Sequence, residues 1–218
     1  MILFNLKQFL RSSTLTYRLF SSQPIYVKNS LVGGAKELRI PEGRPLTWYS
    51  CGPTVYDVAH LGHARTYICS DIIRRIMTDF FNIDLIYALG MTDIDDKIIN
   101  ASKASNKTSA ELARNFEKMF LEDMDDLNVR RPDGLLRVTE HIPMIIKYIS
   151  NIISNGFGYE SEDGVYFNVA KMGTQYGKLG RRAEAIVDGG GNGECLEFDK
   201  IESRDFALWK LSEEEPFW

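Results

Sequence analysis

The chain has 218 residues, 44% of them apolar and 26% charged, enough for one or two globular domains with a core. It has no run of eighteen apolar residues, which excludes an ordinary membrane-spanning helix, and its 17 glycines are scattered rather than periodic, which excludes a collagenous chain. The net charge of −4 hides an asymmetry: residues 1–36 carry Lys7, Arg11, Arg18, Lys28 and Lys36 and no acid, so the remainder is acidic and would bind nucleic acid only through a local basic patch.

Ser, Thr, Leu and Phe lie between the charges of this leader, as in Arg11-Ser12-Ser13-Thr14 and Arg18-Leu19-Phe20-Ser21-Ser22. That is the composition of a mitochondrial import helix, so residues 1–36 are expected to be a cleaved transit peptide and linker. An ordinary basic amphipathic helix is the alternative. Pro45 to Cys51 is a β-prone run ended by Gly52-Pro53 and predicts a buried strand running into a loop. Leu61, Ala64, Ile68, Ile72, Ile76 and Phe80 recur every three or four residues, which predicts one stripe of a helix ending near Asn82. A second apolar run, Asp84 to Gly90, completes a strand, helix, strand order and starts a doubly wound parallel sheet.

Asp93, Asp95 and Asp96 stand where a helix from Ile94 to Ala101 begins. A helix dipole favours carboxylates there and the spacing departs from a calcium loop, so capping is expected in place of a metal. Thr108-Ser109-Ala110-Glu111 has capping-box spacing and opens a helix carrying Leu112, Phe116, Met119, Phe120 and Leu127. Another helix carries Ile142, Ile145, Ile149 and Ile153, with Pro143 in its first turn and Asn155-Gly156 as its stop. Asp163-Gly164 then turns into a strand from Val165 to Val169, and the glycine-rich run Val187 to Gly193 reads as loop or disorder.

Two strands and a helix make half of a nucleotide-binding layer, and the later segments read as an inserted module. The expected division is residues 37–108 for the first half of a Rossmann-like catalytic domain, 109–203 for an inserted connective module, and 204–218 for the start of a second catalytic half. On this reading the chain is an N-terminal fragment with an unpaired strand edge and an exposed apolar face. Its three cysteines, Cys51, Cys69 and Cys195, are odd in number and far apart, which fits a reducing compartment better than a disulfide framework.

The segment Cys51 to Arg65 joins strand to helix, the place where α/β sheets bind ligands. It holds two of the three histidines. His60 and His63, three residues apart at a helix start, can face the same way, while free amides and the helix dipole attract phosphates. Gly62 leaves room for a purine base. Two imidazoles that merely cap the helix are the alternative. Read alone, Cys51 is first a small buried hydrophobe and Thr92 equally a strand-end cap.

Taken with Leu89-Gly90-Met91-Thr92-Asp93-Ile94-Asp95-Asp96-Lys97-Ile98-Ile99, Thr139-Glu140-His141-Ile142-Pro143, the stretch Gly156 to Val169, and Ser203-Arg204-Asp205-Phe206-Ala207-Leu208-Trp209-Lys210, this segment resembles the cysteinyl-tRNA synthetases, which are class I aminoacyl-tRNA synthetases. The resemblance covers nearly everything after about residue 45. With the leader, it points to the mitochondrial form. The implied fold is α/β: the N-terminal half of a class I synthetase Rossmann-like nucleotide-binding domain with a mixed α/β insertion.

The resemblance implies that ATP, with magnesium, and L-cysteine give cysteinyl-adenylate and pyrophosphate, after which the cysteinyl group passes to tRNA(Cys). It implies catalytic roles on the phosphates for His60 and His63, ATP contacts for Gly62 and Lys97, and cysteine contacts for Gly52, Thr54 and Thr92. Asn100 departs from a second lysine common in the family. Cys51 matches the first ligand of a zinc ion that would select a thiolate over a hydroxyl. In the family a second Cys, a His and a Glu, and a Lys-Met-Ser-Lys-Ser phosphate loop, lie further along than Trp218. The 218 residues are therefore expected to be inactive by themselves. No membrane partner is expected, and His141, Cys69 and Cys195 are given no site role. Two other readings stay open: a non-catalytic truncated isoform, and a ligase joining cysteine to a small amine.

Overall fold

The computed structural model describes residues 24–178 and 200–211. The expected leader up to Gln23, the glycine-rich run, Cys195 and the last seven residues lie outside the described residues. The chain divides into two compact units, one formed by Met1–Val27 with Glu37–Val138 and the other by Lys28–Lys36 with Thr139–Trp218. A short two-stranded ribbon, β1 (Tyr26–Lys28) and β2 (Ala35–Glu37), comes first.

The first unit is built on three parallel strands in the order β3 (Leu46–Thr54), β4 (Leu85–Thr92), β5 (Gly134–Arg137). Helix α1 (Leu61–Arg75) links β3 to β4 and ends in a π-helical turn at Ile76–Phe80, with Asn82 at φ +53° stopping it. After β4 come α2 (Asp96–Ser105) and α3 (Ser109–Asp126). Leu85, Tyr87, Leu89 and Met91 alternate along β4 onto one face and pack with Tyr67 of α1, Ile98 of α2, and Leu112, Phe120 and Met124 of α3. Trp48 of β3 meets Tyr87 edge-on at 5.2 Å. The opposite face, with Thr47, Tyr49 and Cys51 of β3 and Ile86 of β4, is exposed.

Two features differ from the sequence expectation. The apolar stripe of α1 points outward: Leu61 is 84% exposed, and Ile72, Ile76 and Phe80 are exposed as well. The inward side is Tyr67, Asp71 and Arg74. The charged pair is buried because it clamps the segment that leads into β5. Arg74 donates to Asp133 (2.9 Å) and to the Arg131 carbonyl (2.6 Å), and Asp71 accepts from Arg75 (2.6 Å) and from the Arg130 amide (3.2 Å). Asp133 also accepts from the Tyr87 amide at 2.7 Å, which ties the clamp to the sheet. The second difference is β5 itself, a third parallel strand that, with α3, belongs to the first compact unit, which runs to Val138. Arg137, at its end, grips buried Glu117 of α3 through two hydrogen bonds of 2.8 and 2.7 Å.

In the second unit, α4 (Ile142–Ser154) carries Pro143 in its first turn and stops at Asn155, with Gly156 at φ +80°. The strands β6 (Gly158–Ser161), β7 (Gly164–Phe167) and β8 (Phe206–Lys210) form an antiparallel sheet in that order, with α5 (Val169–Met172) between β7 and β8 in the chain. Asp205, 1% exposed, accepts from the Val169 amide (2.9 Å) and the Tyr159 hydroxyl (3.0 Å), so its place in the Arg204-Asp205-Phe206 run is structural. No described helix is long and apolar enough to cross a membrane.

Candidate active site

The C-terminal end of β3 is bent by a bulge. Cys51 pairs with Gly90 and Thr54 with Thr92, so two residues, Gly52 and Pro53, stand opposite Met91 alone. Proline, which has no N–H to give the ladder, is tolerated at such a point. Gly52 is obligatory for a different reason: a Cβ there would lie 1.9 Å from the Gly90 carbonyl oxygen. The bend brings Thr54 and Thr92 side by side at the strand ends, and the Val55 amide donates to the Thr92 carbonyl at 3.1 Å.

Beyond a short turn, the two histidines close the start of α1 on each other. His60 is the N-cap, and its Nδ1 accepts from the Gly62 amide at 3.0 Å, while His63 Nδ1 accepts from the His60 amide at 3.2 Å. This is a capping box with imidazoles in the usual places of a hydroxyl and a carboxylate. The rings stack at 4.0 Å. Because both Nδ1 atoms accept from backbone donors, the proton of each neutral ring is assigned to Nε2, leaving two Nε2–H donors away from the helix end. Burial, and then neighbouring His60, holds His63 below its ordinary value, which favours that neutral form. Glycine at position 62 makes room for the His60 ring: a Cβ would lie 2.8 Å from His60 Cε1.

A tyrosine connects the histidines to the sulfur-bearing strand. Tyr67, one turn after His63, stacks on it at 6.5 Å, meets Phe120 edge-on at 5.1 Å, and donates its hydroxyl to the Cys51 carbonyl at 3.4 Å. Burial, with Tyr87 and Cys51 nearby, lifts its phenol well above the ordinary value, so it stays protonated. Sequence reasoning passed over Tyr67, although its i+4 spacing from His63 was the available signal. Cys51 itself is a free, exposed cysteine, not a buried hydrophobe.

Lys97, in the first turn of α2, places its ammonium 5.3 Å from the centre of the Tyr56 ring on the turn before α1. Asp95 caps α2 by accepting from the Lys97 amide at 2.9 Å, the role expected of the acidic cluster. Among the described residues no three His, Cys, Asp or Glu side chains gather as a metal site. A zinc ion on Cys51 would therefore take its other donors from outside the described residues. One exposed thiol is compatible with that and does not make a site by itself.

A family model described as tRNA synthetases class I (C) catalytic domain matches residues 38–218. The cytoplasmic cysteine--tRNA ligase of Dictyostelium discoideum is 44% identical over 206 residues, covering 89% of this chain and 31% of that protein. The probable mitochondrial cysteine--tRNA ligase of Xenopus tropicalis is 47% identical over 196 residues, with 89% and 33% covered, and the cysteine--tRNA ligase of Pyrococcus horikoshii is 44% identical over 199 residues, with 88% and 40% covered. The chain thus spans 31 to 40% of the length of these relatives. A solved ternary complex, Agrobacterium radiobacter K84 agnB2 LeuRS-tRNA-LeuAMS, is 16% identical with a TM-score of 0.49, covering 58% of this chain and 16% of that one. The family match takes in every strand and helix from β3 onward, and on that ground the chain belongs to the class I (C) tRNA synthetases, through their catalytic domain.

Proposed function

We propose that the protein is a cysteine--tRNA ligase of mitochondrial translation, and that the described residues supply its nucleotide-gripping turn and one sulfur of its thiol-selecting centre. The observation that carries this reading is the pair of stacked imidazoles, fixed by backbone bonds with both Nε2–H groups free among the described residues, on a helix tied through Tyr67 to the strand of exposed Cys51. The leader composition and the Xenopus relative support the compartment.

In the reaction so read, a carboxylate oxygen of cysteine attacks the α-phosphorus of ATP, the bond to the β-phosphate oxygen breaks, and pyrophosphate leaves. His60 and His63 donate Nε2–H hydrogen bonds to phosphate oxygens as negative charge builds there, and the N-terminus of α1 adds its partial positive charge. Lys97 contributes a full charge close by, while Thr54 and Thr92 offer hydroxyls at the strand ends. The glycine at Gly52 lets β3 and β4 approach closely enough to bring these groups together. Magnesium accompanies the ATP phosphates. Zinc, when bound with Cys51 as one ligand, supplies a soft centre that prefers a substrate thiolate to the hydroxyl of serine. A hydroxyl of the terminal adenosine of tRNA(Cys) then attacks the cysteinyl carbonyl and AMP leaves.

Equilibrium binding of ATP to the chain is the first test, with a His60→Ala, His63→Ala variant expected to bind at least tenfold less tightly. Pyrophosphate exchange into ATP by a protein of the relatives' full length is the second, expected with cysteine and not with serine, while the 218 residues alone are expected to give none. ATP binding indifferent to both histidines, or exchange driven equally by serine, would overturn the reading. Exchange without transfer to tRNA would favour a small-amine acceptor.

A further inference from the structure

Tyr49 and Cys51 stand two residues apart on β3, both exposed, so their side chains rise from the same uncovered face of the sheet. Gly90 of β4 is the cross-strand partner of Cys51. A Cβ on Gly90 would lie 2.3 Å from the Tyr49 hydroxyl oxygen and 3.0 Å from its Cζ. The phenol therefore leans forward along the strand and rests its hydroxyl on the Gly90 backbone, in space that any larger residue would fill. Two residues of strand advance about 6.6 Å, which is also the reach of a tyrosine side chain, so the hydroxyl arrives beside the Cys51 sulfur. Burial, and then the neighbouring Cys51, raise the Tyr49 phenol above its ordinary value.

We propose that Tyr49 is the positioning residue of the Cys51 sulfur, its hydroxyl seated on Gly90 and bonded to the sulfur so that the sulfur faces a soft ligand, either a thiophilic metal ion or a substrate thiol. This rests on the reading of Cys51 as the sulfur that meets the ligand. Hydrogen bonds from neighbouring groups orient sulfur ligands and tune their electron density, and Tyr49 is the side chain on this face with the length and the hydroxyl to do so. The requirement for glycine at position 90 is a consequence, since a methyl group would unseat the phenol. An exposed tyrosine on a bare sheet face acquires a reason that β-propensity alone does not give.

Alkylation of Cys51 by iodoacetamide, read by peptide mass spectrometry on the full chain without ATP or cysteine, tests the proposal. Exposed Cys69 on α1 serves as the control within the same molecule. All variants are compared at one alkaline pH, each Cys51 rate being divided by that of Cys69 in the same molecule. The hydrogen bond occupies a sulfur lone pair that attack requires. Tyr49→Phe, which keeps the ring and removes only the hydroxyl, should therefore speed alkylation of Cys51 roughly three- to tenfold and leave Cys69 unchanged. Gly90→Ala should act in the same direction, and the double variant should be no faster than Tyr49→Phe alone. A Cys51 rate in Tyr49→Phe equal to that of the parent chain, or additive effects in the double variant, overturns the proposal. Should Gly90→Ala not fold, Tyr49→Phe decides. Because neither nucleotide nor amino acid is present, the ligase reading can fail by exchange assay while this result stands, and the reverse.

Discussion

Replacing Gly62 by alanine separates helix stability from nucleotide binding. The new Cβ would lie 2.8 Å from His60 Cε1 and 2.9 Å from its Nδ1. Carbon atoms pack at about 3.5 Å, so the imidazole must retreat by about 0.7 Å. His63, stacked at 4.0 Å, limits that retreat, and the ring is driven to swing out. The bond from the Gly62 amide to Nδ1 is then lost, which costs about 1 kcal/mol as a missing N-cap. Alanine in place of glycine within a helix gives back up to about 1 kcal/mol. The thermal midpoint should therefore barely move. The Nε2–H donor is misdirected, however, and a hydrogen bond to a charged phosphate is worth about 1.5–3 kcal/mol, a loss of roughly ten- to hundredfold in ATP affinity. Calorimetric titration with ATP beside a thermal melt reads both quantities. ATP affinity within twofold of the parent chain, with the melt unchanged, would refute the link between the cap and the nucleotide site.

Three further outcomes are expected. His63 is held below its ordinary value of 6.5 by burial and by His60, so the unfolded chain takes up a proton first as pH falls. Its stabilisation is complete above about 6.5 and is lost progressively as pH drops toward the folded value; thermal midpoints across that window should fall less steeply in His63→Gln, and an identical slope would count against the assignment. Arg137→Ala takes two direct hydrogen bonds from the Glu117 carboxylate, whose side chain is 8% exposed, and leaves it the looser ion pair with Arg114 at 3.6 Å, which should cost about 1.5–3 kcal/mol in denaturant unfolding. Gly52→Ala sets a methyl group 1.9 Å from a backbone oxygen that has no rotamer to escape into, so a loss of about 3 kcal/mol or a failure to fold is expected; a variant as stable as its parent would contradict the close strand approach.

The parts legible in the sequence were those whose determinants are local. Thr108 and Glu111 close a capping box at the start of α3, Asp95 caps α2, Pro143 opens α4 and Asn155-Gly156 ends it, each within one turn of chain. The order of β3, α1 and β4 was legible for the same reason. Strand β5 was not, since Gly134-Leu135-Leu136-Arg137 is too short to show a period and its strand character comes from pairing with Ala88 to Met91. The outward turn of the α1 stripe was also hidden. Which side of that helix goes inward is decided by Asp71 and Arg74, whose partners Arg130 and Asp133 lie 59 residues further along. At the candidate site, His60, Gly62 and His63 announced themselves by type and spacing, whereas Cys51 and Gly52 came only with the family resemblance. Tyr49 and Gly90 did not, because their relation is one of strand register.

The stacked imidazoles make the first turn of α1 and the chemistry of the turn depend on the same four ring nitrogens. Asparagine at position 60 would keep an acceptor for the Gly62 amide and lose the distal donor; glutamine would do the opposite. Neither amide covers both edges of the ring, and alanine covers none. If the two Nε2–H groups hold phosphate as proposed, selection for a well-formed fold and selection for turnover converge on histidine here, which leaves this turn little freedom to drift by paths that keep the protein folded while its activity is being remodelled.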